Sequence, residues 1–308
     1  MKIENERGSV TILFVLFITV IIGFVGLAVD FGYAVLKDLQ LTNAIDSATL
    51  AAAQDLDNTN MATSTAQTYL EKNGVDPSTV TIIFSNNDHS IQLESNTIVN
   101  NQFMKLLGVN TTGIGASAKA TINPITKVTG GIRPFGVEKF DVTAPENFGK
   151  QFILKTGDAS EEGYGPGNFG GLALGGRGAS NLRNNALYGY SGSIEIGQEI
   201  DTEPGNMASM INPIRQLIES DETYFEDYSA TSMPEDSIRM WVVPMVNSLE
   251  VNGRSLVVVK GFAMFFIEDI GKQSGKTSIT GRFVRGVIPG EMVESQEDFG
   301  LYAAKLVK

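Results

Sequence analysis

From Gly8 to Val29 the chain runs through twenty-two residues without one charged side chain, most of them Val, Ile, Leu and Phe. No other feature constrains the fold as strongly. A helix rises about 1.5 Å per residue, so a run of this length crosses a hydrocarbon core of about 30 Å with a little tilt. Gly23 and Gly26 lie inside the run and do not count against it, because glycine is commoner in membrane helices than in soluble ones. No A-x-A-like cleavage pattern closes the run. No turn residue breaks the helical pattern after it, and FGYAVLKDLQLTNAIDSATLAAAQDL continues in good helix formers. A removable signal peptide is the competing reading, but its apolar region is usually only about 7–15 residues long. The expectation is a retained anchor that is also the first half of one long helix. Asp30 then reads as the first residue in the interface, a stop to the membrane run.

The net charge of −12 is informative once divided. Lys2 and Arg7 balance Glu4 and Glu6 before the end of the apolar run, so the whole excess belongs to the part after it. An acidic surface without a basic patch repels polyanions, which excludes DNA and RNA binding. Lys2, Arg7 and the N-terminal amine flank one side of the run and only Lys37 lies close on the other. That bias favours a cytoplasmic N-terminus and an exported bulk. Cysteine is absent, which removes disulfide frameworks, cysteine nucleophiles and thiolate metal sites together. It also suits an exported protein of a Gram-positive envelope.

After the run, Val35, Leu36, Leu39, Ala44, Ile45, Ala48, Ala51 and Ala52 recur at near-helical spacing. A continuous helix from residue 9 to residue 56 would be about 70 Å long. Asp55 to Asn60 ends or kinks it, and a second helix from Met61 stops at Asn73-Gly74, a C-cap signal. The period then changes to two. Val80, Ile82 and Phe84 alternate, Asn86-Asn87-Asp88 makes a turn, and Ile91 and Leu93 alternate again. NNQFMKLLG at 100–108 fits a short helix closed by Gly108, and Ile114 to Ile122 form a strand. Residues 157–205 hold thirteen of the thirty-three glycines, so turns and close backbone approaches dominate there. A helix over 207–220 and β-rich runs at 239–246, 255–267 and 277–288 follow. The fold class expected is α+β: a membrane anchor and extended helix over 1–56, a small α+β module over 57–124, and a glycine-rich, mainly β domain over 125–308.

Small residues on the long helix point to close packing. Ala44, Ala48 and Ala52 lie at i, i+4 and i+8, which lets another helix backbone approach, while an internal strand packed on the same face is the other reading. Asp46 lies among these alanines, either facing water or pairing with a basic partner when helices bundle. Gly23, Gly26, Asp30, Ala44, Asp46, Ala48 and Ala52 form the candidate helix-packing and assembly face.

The N-terminal residues resemble the start of the Tad (tight adherence) pilus-assembly proteins, the TadE/TadG-like group. The resemblance rests on Arg7-Gly8, the apolar run, Gly26-Leu27-Ala28-Val29-Asp30, and Leu39-Gln40 followed by Asn43-Ala44 and Asp46-Ser47-Ala48. Glycine-rich stretches such as PGNFGGLALGGRGASNLRNN and EPGNM are similar to those of Gram-positive relatives. The resemblance implies a single-pass membrane protein of a type IV-like pilus system, with the membrane and other pilus-assembly or pilin proteins as partners and neither a cofactor nor a small-molecule substrate. A processed type IV pilin would be cut after Gly8 and carry a glutamate five residues on, where this chain has Leu13. Some relatives also carry a von Willebrand A domain, and Asp227-x-Ser229-x-Thr231 mimics its metal-site spacing, but no buried apolar strand precedes it.

Other motifs are near-misses. Gly165-x-Gly167-x-x-Gly170 matches a dinucleotide fingerprint, but that motif needs a strand before it and a helix after it, and more glycine follows here. Gly271 to Thr277 is one residue short of a phosphate-binding loop, and the strand-like TSITGRFV succeeds it; a hairpin turn is expected. His89, the single histidine, falls in a turn and has no triad or zinc spacing. The run Glu219 to Asp236 holds seven carboxylates and no Lys or Arg, either a solvated face or a weak calcium site. Gly189-Tyr-Ser191-Gly-Ser193 fails as a nucleophile elbow at its last position. The leading expectation is a non-catalytic, membrane-anchored component of a Tad-like pilus assembly system. A minor pilin subunit and an anchored extracellular hydrolase are the alternatives.

Overall fold

The computed structural model describes residues 7–56, 58–85, 89–144, 147, 149–155, 170–204, 208–221, 237–251, 253–273, 276–293 and 296–307. The chain divides into two compact units, one of residues 1–53, 60–120 and 306–308, the other of residues 54–59 and 121–305. The overall class is α+β, with one long apolar helix ahead of sheet-rich structure.

Helix α1 (Arg7–Ala52) opens the first unit. It contains no proline, so nothing removes a ladder hydrogen bond along its length. From Val10 to Val29 every residue except Gly26 is exposed. Among the described residues α1 is the one helix long and apolar enough to cross a membrane. Beyond Asp30 the burial changes: Ala34, Leu41, Ala44, Ile45, Ala48 and Ala52 form a buried stripe at spacings of three and four. This half of α1 packs against strand β2. Helix α2 (Thr59–Lys72) buries Ala62, Ala66 and Leu70. It ends in a left-handed Gly74 (φ 73°), with Gly74 N–H donating to Glu71 and Val75 N–H to Leu70, both at 2.9 Å. Those two bonds satisfy carbonyls that the helix end would otherwise leave open.

Strands β1 (Val80–Ser85) and β2 (Ser90–Asn100) pair antiparallel from Val80↔Ser95 to Ser85↔Ser90. The turn expected at Asn86-Asn87-Asp88 lies outside the described residues. Strand β2 buries Ile91, Leu93, Ser95 and Val99, the two-residue period expected of a half-covered sheet. Strand β3 (Thr111–Thr129) buries Ala118, Ala120 and Ile122 in the same rhythm and continues from the first unit into the second.

The second unit contains, in order, β4 (Val137–Glu138), β5 (Gln151–Lys155), α3 (Ala179–Tyr188), β6 (Ser193–Glu195), β7 (Glu199–Asp201), α4 (Ile211–Ser220), β8 (Met240–Val246), β9 (Leu256–Gln273), β10 (Lys276–Val284), β11 (Gly286–Val287), β12 (Glu291–Met292) and β13 (Leu301–Val307). A mixed sheet runs β4-β8-β9-β10-β5, with β7 also on β9. Alternate side chains of its central strands enter two cores. Trp241, Val243, Met245, Ala263, Phe265 and Ile267 meet Leu182 and Ala186 of α3 and Ile211 and Ile214 of α4. Val242, Val246, Phe262, Met264 and Phe266 meet Ile125, Val128, Leu301 and Ala303. A strand covered on both faces reads as a continuous apolar run, which is what MWVVPMV is.

Two glycines bound α3 inside the stretch where turns are expected to dominate. Gly178 (φ 106°) precedes it and Gly189 (φ 79°) follows, both in backbone conformations that favour glycine. The expected hairpin at Gly271 to Thr277 corresponds to the β9–β10 pair, with Gln273 opposite Lys276; residues 274 and 275 between them lie outside the described residues.

Candidate functional site

The site is built where the apolar run of α1 ends. One helical turn before Asp30 lies Gly26, the only buried residue between Val10 and Val29. A Cβ added to Gly26 would stand 2.6 Å from the Cβ of Phe103, far inside contact distance. The missing side chain therefore lets Phe103 lie directly on the helix backbone. The reach is long-range: Phe103 is in the connection between β2 and β3, where Met104–Leu107 form a single 3-10 turn.

Asp30 fixes that turn. Its side chain is buried, and its carboxylate accepts the backbone N–H of Gln102 and Phe103 at 2.8 Å and of Met104 at 2.6 Å. Hydrogen bonds to an ionised acceptor are shorter and stronger than neutral ones, and three of them converge here. They satisfy the N–H groups at the start of the turn, whose own flanking residue Phe103 offers no side-chain cap. The turn closes at Gly108 (φ 87°), where Val109 N–H donates to Met104 and Gly108 N–H to Lys105, both at 3.1 Å. Asn101 draws the base together. Its N–H donates to Asn110 at 2.9 Å, its amide nitrogen to Val109 at 3.1 Å, and its amide oxygen accepts from the Thr112 hydroxyl at 2.9 Å.

The other residues of the expected assembly face fall into distinct environments. Gly23 is exposed, with open space where a Cβ would be. Ala44, Ala48 and Ala52 are fully buried in the chain's own fold, and Asp46 among them is half-buried. That burial puts the alanine face against the chain's own residues. Asp30 is more than a stop to the apolar run, and its partners sit more than seventy residues further along the chain. A hydrogen bond to backbone N–H groups carries no residue-type signature, so nothing in NNQFMKLLG could have pointed back to Asp30.

The arrangement is suited to packing and positioning. Among the described residues no three of His, Asp and Glu converge as a metal site. His89 sits half-buried at the start of β2. The Asp227-Ser229-Thr231 string, Gly165, Gly167 and most of the acidic run lie outside the described residues. A groove of about 460 Å³ lies just above Asp30 in the first unit, bordered by Tyr33, Lys37, Leu41, Val75 and Ile98. Lys37 lies 5.7 Å from the ring centre of Tyr33 and donates to Gln40 at 3.1 Å.

No curated protein and no solved structure matches the chain. A family model does match, over helix α1 and the short 3-10 turn Ala53–Asp55 that follows it. Residues 8–55 match the model of the Tad family, described as putative Flp pilus-assembly TadE/G-like.

Proposed function

We propose that the chain is a non-catalytic, single-pass membrane-anchored component of a Tad/Flp-type pilus assembly system. In this reading Gly8 to Val29 cross the membrane, the N-terminus is cytoplasmic, and residues 31–308 lie outside. The observation that carries it is the coincidence of the Tad family match with α1, whose first half exposes an apolar surface and whose second half buries one stripe in a folded unit. An apolar helix left bare on all sides from Val10 to Val25, about four turns, is incompatible with water and suits lipid. The charge bias supports the orientation.

Function then resides in the helix and the units it holds. Lipid-facing helices associate through close packing and polar contacts, since lipid tails are as apolar as leucine. Gly23, open on the exposed surface, is the residue of the run at which a partner helix from another pilus-assembly or pilin protein would approach most closely. Protease added to intact protoplasts tests the topology. The bulk of the chain should be degraded and a short N-terminal fragment protected. Full protection of the bulk would overturn the orientation, and recovery of the whole chain in the soluble fraction would overturn the anchor. A chromosomal deletion that leaves pilus assembly unchanged would remove the functional reading itself.

A further inference from the structure

The turn held by Asp30 is apolar at its tip. Leu106 is 82% exposed and Leu107 72%, with Phe103 and Val109 also exposed. Connections of this kind are ordinarily polar on their outer surface, and two adjacent leucines projecting from a short turn call for a covering partner. The position of the turn says which partner. Phe103 lies on Gly26, a residue inside the apolar run and about 6 Å along the helix from Asp30 towards the membrane centre. The exposed apolar surface of the turn is therefore continuous with the exposed apolar surface of α1.

We infer that residues 103–107 insert into the outer face of the bilayer beside the anchor, so that the protein meets lipid twice, through the helix and through this turn. The inference rests on the reading of Gly8 to Val29 as a membrane anchor. Phe103, Leu106 and Leu107 bury their side chains at the boundary between acyl chains and headgroups. Lys105, between them, reaches back to the phosphate layer with its stem along the apolar surface, as long basic side chains do at interfaces. Asp30 and Asn101 keep the turn from swinging away: one accepts its three leading N–H groups, the other closes its base. A second lipid contact a fixed distance from the helix restrains tilt and rotation of α1 about its axis, which a single anchor leaves free. The folded part of the first unit is thereby given one orientation over the membrane.

The absence of native cysteine makes the test direct. The full chain carrying Leu107→Cys, labelled with an environment-sensitive fluorophore, is reconstituted at low density into phosphatidylcholine and phosphatidylglycerol vesicles. Val20→Cys and Gln67→Cys serve as lipid and water references, since both side chains are exposed. A label at 107 that shifts to the blue, loses most of its intensity to a nitroxide on the lipid and resists iodide, as the label at 20 does, supports the inference. Quenching at 107 by iodide while the label at 20 stays with lipid would overturn it and leave the anchor standing. Iodide quenching at both positions would remove the anchor and the inference together. A label at 107 shielded from both quenchers would mean that protein, such as a second copy of the chain, covers the turn in place of lipid.

Discussion

Gly26 and Phe103 are in contact because one of them has no side chain: a Cβ on Gly26 would come within 2.9 Å of three atoms of the Phe103 side chain. Those atoms include the Phe103 Cβ, which is tied to the backbone, so rotation of the ring cannot clear the space. Gly23, one turn earlier, has nothing within 4 Å of the same position. Gly23 and Gly26 are equivalent by composition and opposite in role.

Gly26→Leu should therefore push the turn off the helix, whereas Gly23→Leu should leave it in place. Trypsin cleavage after Lys105 reports the difference in the reconstituted protein, with faster cleavage expected for Gly26→Leu alone. Equal cleavage of the two variants would mean that the contact does not hold the turn.

Removing the acceptor acts on the same turn from the other side. Asp30→Ala leaves the N–H groups of Gln102, Phe103 and Met104 without their partner. Hydrogen exchange at these three amides should accelerate strongly while β2 stays protected, since local openings need not follow global unfolding. Asp30→Asn retains one acceptor oxygen and should fall between the two. Unchanged exchange in both variants would remove Asp30 from its assigned role.

How much of this was legible beforehand depends on the range of the interaction. The length of α1, the stop at Asn73-Gly74, the turn ending at Gly108 and the three β-rich runs of the second unit all follow from local period and local caps. Helix α3 did not, because the glycines that favour turns elsewhere bound it at Gly178 and Gly189. Strand β13 was missed as well: Leu301 and Ala303 reach a core whose other members lie far away in sequence. The link between Asp30 and residues 102–104 was out of reach for the same reason. Small residues at Ala44, Ala48 and Ala52 announce close approach, and they announce it equally for a foreign helix and for the chain's own strands.

That ambiguity has an energetic consequence. Ala48 is fully buried, so Ala48→Phe should overpack the fold at a cost of about 1–3 kcal/mol. Thermal unfolding of the detergent-solubilised full chain should show a clearly lower midpoint. An unchanged midpoint together with lost co-purification of pilus proteins would instead assign this face to assembly.

Two carboxylates beyond the apolar run give the expected pH response. The backbone N–H of Ser78, then the Ser78 hydroxyl, hold Asp76 below its ordinary value, outweighing the opposing effect of burial. Asp141 is held below its ordinary value by the Thr143 hydroxyl first, against burial, and then by the N–H groups of Thr143 and Ala144. A pKa lower in the folded than in the unfolded state means that the unfolded chain takes up protons first. The stabilisation is complete above the unfolded value of about 4 and is lost as pH falls through the folded one. Unfolding midpoints should drop below pH 4, and Asp76→Asn with Asp141→Asn should flatten that drop. An equal drop in the double variant would place the acid sensitivity elsewhere.

Arg133 supplies the last test, because it is a buried cation whose balance of costs can be worked out. Its guanidinium lies 5.2 Å from the ring of Trp241, which stacks on Phe135, and Nη1 donates to the Ala186 carbonyl of α3 at 2.9 Å. Burial pushes its pKa down to about 10, so it remains charged at neutral pH. At about 1.4 kcal/mol per unit, that displacement corresponds to a desolvation cost on the order of 3 kcal/mol. The stacking and the hydrogen bond offset it by about 1–2 kcal/mol each. Arg133→Met keeps the apolar stem on Trp241 and removes both the cost and the polar gains, so its stability should stay within about 1 kcal/mol of the natural chain. Arg133→Ala also empties the space over Trp241 and should fall a further 2–5 kcal/mol, roughly the cost of truncating a buried Met. Denaturant unfolding followed by fluorescence of Trp241, the single tryptophan, measures both variants directly. If Met proved as damaging as Ala, the charge itself would be holding α3 to the sheet.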